Sequence, residues 1–156
     1  MKEQVTMNNL TIRPAAQSDL IQIQQLLKDS NLPFEDIAEH IADFVVAEEG
    51  QNMIGVAGLE IHGKAGLLRS VAVTESHRSK GIGSLLYNQV VSQAQQKGLR
   101  ELSLLTTTAE EFFGKKGFRK VKGETIPQYV KSTKEYQIFC ASTAVCMKKK
   151  IEGDTL

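Results

Sequence analysis

The residues best suited to chemistry stand together in Arg78-Ser79-Lys80-Gly81-Ile82-Gly83-Ser84. Before them runs an apolar stretch ending at Val73. After them Ile82, Leu85, Leu86, Val90 and Ala94 recur at helical spacing. Amides at the start of a helix have no partner within it, and the helix dipole places partial positive charge there. Gly81 and Gly83 remove Cβ atoms that would hold a ligand away from the main chain. Arg78 and Lys80 add cationic side chains. Such a segment suits a pyrophosphate. It is not a nucleotide P-loop, because no Gly-Lys-Ser/Thr follows a spacer. Nor is it a dinucleotide fingerprint, which needs a third glycine where Leu86 stands. The competing explanation is that both glycines simply shape a helix start.

Other reactive side chains are scattered. His40, His62 and His77 lack metal-ligand spacing, so no metal is expected. Cys140 and Cys146 form no disulfide framework. On one strand they would stand about 20 Å apart, too far to share a soft ion, and inert buried thiols are expected. Arg69 can pair with a carboxylate on a neighbouring strand. Ser70 alternates to the face opposite Arg69 and Val71, which suits packing. Thr106-Thr107-Thr108 either binds a ligand or is an ordinary β-branched run. Lys148-Lys149-Lys150 reads as a solvated end.

The elements that must position these residues alternate between strand and helix patterns. Strands are expected at 10–13, closed by Pro14, and at 44–47, 53–61 and 67–73, the last three as an antiparallel meander. Ser18-Asp19 should cap a helix carrying Leu20, Ile23, Leu26 and Leu27, and a second short helix should follow Pro33 with Ile37 and Ile41 on one face. Gly98 should stop the long helix after the glycine pair. A strand at 100–106, a short helix at 109–116, a strand at 118–121 and a terminal strand at 143–149 complete the chain. Strand, long helix and strand over 67–106 require a parallel crossover. The class is therefore α/β (α+β), with a mixed central sheet of about six or seven strands flanked by helices.

The composition agrees. The 156 residues are 41 % hydrophobic and 24 % charged, the profile of one globular domain spanning 1–156. Lys plus Arg number 19 and Asp plus Glu 18, so no global field favours nucleic acid or an acidic membrane. The longest apolar run, Met53 to Leu59, is far short of the about 20 residues a spanning helix needs. The first residues lack the apolar core of a secretory signal, and with the sparse cysteines this predicts a cytoplasmic protein.

Val71-Ala72-Val73, followed by Arg78-x-x-Gly81-x-Gly83, resembles the acetyl-CoA motif of the GNAT family of N-acetyltransferases. Ala109-x-x-Phe112-Phe113-x-x-x-Gly117-Phe118 resembles that family's last helix and strand. The resemblance implies a single GNAT-type domain using acetyl-CoA as co-substrate. The main chain of Val71, Ala72 and Val73 would pair with the pantetheine arm, in a splay between the strands at 67–73 and 100–106. The Val71 amide would polarise the thioester carbonyl. Arg78, Ser79, Lys80, Gly81, Ile82, Gly83 and Ser84 would hold the pyrophosphate, with Phe112 against the coenzyme. In the family reaction a neutral amine attacks the bound thioester directly. Phe113 stands where many members carry a tyrosine acid, so coenzyme A would be protonated by another group or would leave as thiolate. The base is open, with Glu60 and Glu75 as candidates. An exposed glutamate, with a pKa near 4.3, is a poor base unless burial raises it. Arg69 and Thr106 are the candidates for holding the acceptor.

Residues 67–73, 104–109 and 140–145 are also similar to the arsenic-resistance ArsN-type acetyltransferases, some of which acetylate the amino-acid antibiotic arsinothricin. The same region is similar to the acetyltransferase domain of N-acetylglutamate synthases. Those synthases hold the glutamate carboxylate with an arginine where Cys140 stands here, which argues against glutamate. The expected function is acetyl transfer from acetyl-CoA to the amine of a small amino-acid-like molecule, an arsenical such as arsinothricin first. The alternatives are another amine (glutamate-like metabolite, polyamine or protein N-terminus) and a non-catalytic acyl-CoA sensor. Neither nucleic acid nor a membrane is expected as partner, and the assembly state, a homodimer included, is left open.

Overall fold

The computed structural model describes residues 5–7, 9–139 and 143–151, with side chains from Asn9 onward. The strands are β1 (Val5–Met7), β2 (Leu10–Pro14), β3 (Phe44–Glu49), β4 (Asn52–His62), β5 (Ala65–Val73), β6 (Glu101–Thr106), β7 (Arg119–Val121) and β8 (Val145–Lys150). The helices are α1 (Leu20–Asp29), α2 (Ile82–Gln96), α3 (Glu110–Lys115), α4 (Gln128–Lys131) and α5 (Lys134–Phe139). Hydrogen bonding orders the strands β1-β2-β3-β4-β5-β6-β8-β7, a mixed sheet of eight strands, one more than the upper expectation. The class is the expected one.

Contacts between residues group the chain into two compact units, one of residues up to Glu60 with Leu68–Ala94, the other of Ile61–Leu67 with Gln95 onward. In the first unit β1, β2, β3 and β4 pair antiparallel, with a register shift between Ala47 and Glu48. Its core gathers Ile23 and Leu27 of α1 with Ile37, Ile41, Phe44, Val46, Val56 and Ala72. The Phe44 ring lies flat over the main chain of Gly58, where a Cβ would run into the ring. Gly58→Ala should therefore cost about 1–3 kcal/mol, read as a lower urea midpoint at unchanged slope.

Two local expectations change in this unit. Leu20 starts α1 after a 3-10 turn, and neither Ser18 nor Asp19 caps it with a side-chain hydrogen bond. Asp19 instead accepts the Ala16 N–H at 2.7 Å and pairs with Arg13 at 2.8 Å. The helix expected after Pro33 is two separate 3-10 turns, Ile37–Glu39 and Ile41–Asp43. Both isoleucines still reach the core, because spacing by four suits successive turns as well as one helix.

In the second unit Ala65, Gly66 and Leu67 pair parallel with Glu101, Leu102 and Ser103, as the crossover required. β8 pairs antiparallel with β6 and with β7. Leu67, Val130 and Cys146 form its core with Tyr129 and Tyr136 packed alongside. Helices α4 and α5 fall where no element was expected. Gly98, at φ 76°, donates to the Gln95 carbonyl at 3.0 Å and ends α2 as predicted.

Candidate active site

The segment after β5 leads from the strand into α2 through a tight turn. Thr74 donates its N–H to the Ile54 carbonyl at 2.9 Å, and a 3-10 turn over Glu75–His77 follows. The His77 ring spans the turn. Its Nδ1 lies 2.9 Å from the Thr74 hydroxyl and 3.0 Å from that of Ser76, while Nε2 lies 3.1 Å from a Glu49 carboxylate oxygen. Both ring nitrogens are therefore engaged. Ser79 and Gly81 then take left-handed conformations, φ 66° and 82°, and α2 begins at Ile82.

Among the described turns and loops, no amide from Ser79 to Gly83 donates to another main-chain group, whereas Leu85 closes on the Gly81 carbonyl at 3.2 Å. Ser79, Lys80 and Gly81 are exposed. A run of donors thus stands at the positive end of a fifteen-residue helix. Gly81 needs its freedom for the turn. Gly83 does not: its φ is not left-handed and nothing lies within 4 Å of a Cβ built there. The fold offers no reason for glycine at 83, where alanine would serve the helix better.

Arg78 is exposed and its Nε donates to the Val73 carbonyl at 3.0 Å, so its side chain also fastens the end of β5. Val71 and Val73 are half-buried and Ala72 is buried in the core of the first unit.

A second cluster lies two residues before Val71 and was not visible as a unit in the sequence. Arg69 is fully buried. Its guanidinium grips both oxygens of Asp36 at 2.6 and 2.7 Å and one oxygen of Glu60 at 3.1 Å. Glu60 lies on β4, the carboxylate on a neighbouring strand that was expected, while Asp36 comes from the segment before the first 3-10 turn. Burial pushes the Asp36 carboxyl up, but the hydrogen bonds and charge of Arg69, with His40 nearby, outweigh it and hold that carboxyl below the usual range. His40 Nε2 faces Glu60 at 3.6 Å, Glu39 at 3.8 Å and Asp36 at 3.9 Å.

Ser70 departs from the expectation. It sits at φ 61°, which breaks strand alternation, and its Oγ accepts the Arg69 Nε–H at 3.1 Å. The two side chains therefore meet instead of facing opposite ways.

Asp36, His40 and Glu60 offer ligand atoms within 4.8 Å of one another, a grouping that histidine spacing could not disclose. The Arg69 guanidinium already holds both Asp36 oxygens and a Glu60 oxygen, so a divalent cation would have to displace it. The donor set fits an arginine better than a metal.

The remaining candidates are dispersed. Glu75 is exposed on its 3-10 turn. The Thr106 hydroxyl accepts the N–H groups of Ala109 and Thr108 at 2.9 and 3.4 Å, fixing the turn into α3. Phe112 is half-buried beneath the Lys116 ammonium, with Phe113 edge-on at 5.0 Å between ring centres. Phe113 is buried and packs on Phe118 as well. Cys146 is buried, and burial pushes its thiol up to about 11, so it stays protonated and inert at neutral pH. Cys140 lies outside the described residues, as does the tail segment 140–142 quoted for the arsenic-resistance resemblance.

This strand-to-helix passage stands between β5 and α2 on a mixed sheet. Residues 40–120 match the acetyltransferase (GNAT) domain family, over half of the chain, and the chain belongs to that family. It is 35 % identical over 97 residues to an uncharacterized N-acetyltransferase of Chlorobaculum tepidum, covering 62 % of each chain. It is 33 % identical over 105 residues to an amino-acid acetyltransferase of Salmonella typhi, covering 66 % of this chain and 24 % of that one. The chain thus matches less than two thirds of the length of either relative. The N-acetylglutamate synthase of Neisseria gonorrhoeae, solved with coenzyme A and N-acetyl-glutamate, superposes with a TM-score of 0.80 at 22 % identity, over 95 % of this chain and 36 % of that one. That likeness shows the shared fold.

Proposed function

We propose that the chain is an acetyl-CoA-dependent N-acetyltransferase acting on the amine of a small amino-acid-like molecule, as one catalytic domain over 1–156 in the cytoplasm. The observation that carries this reading is the run of uncommitted amides from Ser79 to Gly83, opened by a glycine the fold does not require. Acetyl-CoA supplies an acyl group activated as a thioester. Ser79 to Ser84 hold its diphosphate, with Arg78 and Lys80 adding charge. Val71 to Val73 present main chain to the pantetheine arm, with the Val71 N–H polarising the thioester carbonyl and Phe112 packing against the coenzyme.

The acceptor side is the buried cluster two residues upstream. Arg69 is held by Asp36 and Glu60 in one orientation, and Ser70 accepts its Nε–H. In that setting Arg69, its side chain wholly covered, positions Glu60, which takes the proton that the acceptor ammonium must lose before it attacks. The C–N bond forms and the C–S bond breaks, and the second N–H proton, shed as the amide forms, ends on the departing thiolate directly or through water, with no acid side chain at position 113. Glu60 is preferred over Glu75 because it belongs to the cluster that meets β5 two residues before Val71, whereas Glu75 faces solvent. Within the class, an arsinothricin-type acceptor comes first, on the resemblance of residues 67–73 and 104–109.

Release of free thiol from acetyl-CoA should depend on an added amine in a screen of arsinothricin, phosphinothricin, L-glutamate, other amino acids and polyamines. Binding of acetyl-CoA with no release for any amine would leave a sensor and sink the enzymatic reading. Glu60→Gln should lower kcat by about 100-fold or more while acetyl-CoA still raises the melting temperature. Full activity in that variant would remove Glu60 as base.

A further inference from the structure

We propose that His40 is the proton outlet of the acceptor side, taking from Glu60 the proton that the acceptor amine has lost and delivering it to solvent. The inference rests on the reading of Glu60 as base. A buried base that keeps its proton cannot serve a second turnover, and Glu60 is buried, with 6 % of its side chain exposed. Asp36 is equally covered, and Arg69 wholly so. Within this cluster, His40 combines a titratable ring with an opening to water, its side chain being 24 % exposed.

The ring stands where a relay needs it. Nε2 lies 3.6 Å from Glu60 Oε1, slightly beyond hydrogen-bond distance, a gap that tightens in a loaded site or is bridged by one water. The charged groups around it are Asp36 at 3.9 Å on its own segment, its neighbour Glu39 at 3.8 Å, and Glu60 from β4, with Arg69 of β5 behind both buried carboxylates. Two of those three carboxylates, Asp36 and Glu60, are buried and share the Arg69 guanidinium.

The step balances. R–NH3+ gives one proton to the Glu60 carboxylate and becomes the attacking amine. Glu60 passes the proton to neutral His40, and the imidazolium releases it to water or buffer. The second N–H proton, shed as the amide forms, ends on the coenzyme A thiolate, so each acetyl transfer releases one proton through His40, with no change of oxidation state.

Chemical rescue separates a relay from a structural part. With acetyl-CoA and arsinothricin, phosphinothricin or L-glutamate as acceptor in dilute buffer, His40→Ala should lose about tenfold or more in kcat. It should keep the thermal shift given by acetyl-CoA and regain rate as free imidazole is raised. Wild-type enzyme should show no such dependence on imidazole. His40→Gln, which keeps polarity without titrating, should be as slow as His40→Ala, and its pH–rate profile should lose one ionisation. A His40→Ala enzyme with wild-type kcat and pH profile, or one that is slow and indifferent to imidazole, overturns the relay while the acetyltransferase reading stands. Absence of turnover by the wild type with every acceptor overturns both.

Discussion

Gly83→Trp should weaken acetyl-CoA binding by about 100-fold or more, near 2.8 kcal/mol, with the unliganded fold intact. Both halves of that expectation follow from one position. A Cβ at 83 meets nothing within 4 Å, so the first atom of the new side chain enters open space. Position 83 closes the run of amides from Ser79 to Gly83, which the chain's main-chain bonding in turns and loops leaves unused. A rigid bicyclic side chain there denies a diphosphate its approach. Gly83→Ala sharpens the contrast: it should stabilise the unliganded protein by about 0.4–1 kcal/mol, because glycine in a helix costs backbone entropy without return. A melting curve for each variant, with and without acetyl-CoA, reads both effects. Unchanged coenzyme binding by the tryptophan variant would show that the loop is only a helix start.

The largest effect on stability is expected at Arg69. Arg69→Met should cost about 3–5 kcal/mol, since it leaves the Asp36 and Glu60 carboxylates buried without their shared cation. Partial protonation of those carboxylates would soften the loss at acidic pH. The sign for the native protein follows from Asp36, whose carboxyl is held below its ordinary 3.8 in the folded state. Its contribution is fully present above that ordinary value and disappears as pH falls through the depressed one. Urea midpoints across pH 3–7 should therefore drop towards acid more steeply for wild type than for Asp36→Asn, whose side chain does not titrate. A loss below about 1 kcal/mol in Arg69→Met would mean that the cluster relaxes to water and does not act as a buried unit.

The strand-to-helix passage into α2 was legible in the sequence because its parts are contiguous. Two glycines, a helical apolar pattern and the stop at Gly98 all lie within one strand-to-helix passage, and local spacing expresses local geometry. The Arg69 cluster was not, because it is assembled across the chain. Asp36 meets Arg69 over 33 positions, and only the packing of the 3-10 turns against β4 and β5 brings His40 into range. One local sign was present, since Asp36 and His40 stand four apart after Pro33, as Ile37 and Ile41 do. That spacing was assigned to a single helix, whereas the chain makes two turns there. Ser70 shows a different limit. Strand alternation presumes extended backbone at every residue, and one left-handed residue at φ 61° moves a hydroxyl onto the Arg69 guanidinium. Strand β1 and helices α4 and α5 are short, three to six residues, and their form depends on what they pack against more than on their own pattern.

The chain's own amides report the central claim most directly. In an amide NMR titration of the isotope-labelled protein with coenzyme A, the signals of Ser79, Lys80, Gly81, Ile82 and Gly83 should move together and saturate, as main-chain donors do when they close on a diphosphate. Saturable binding of coenzyme A that leaves those five signals in place would contradict the account.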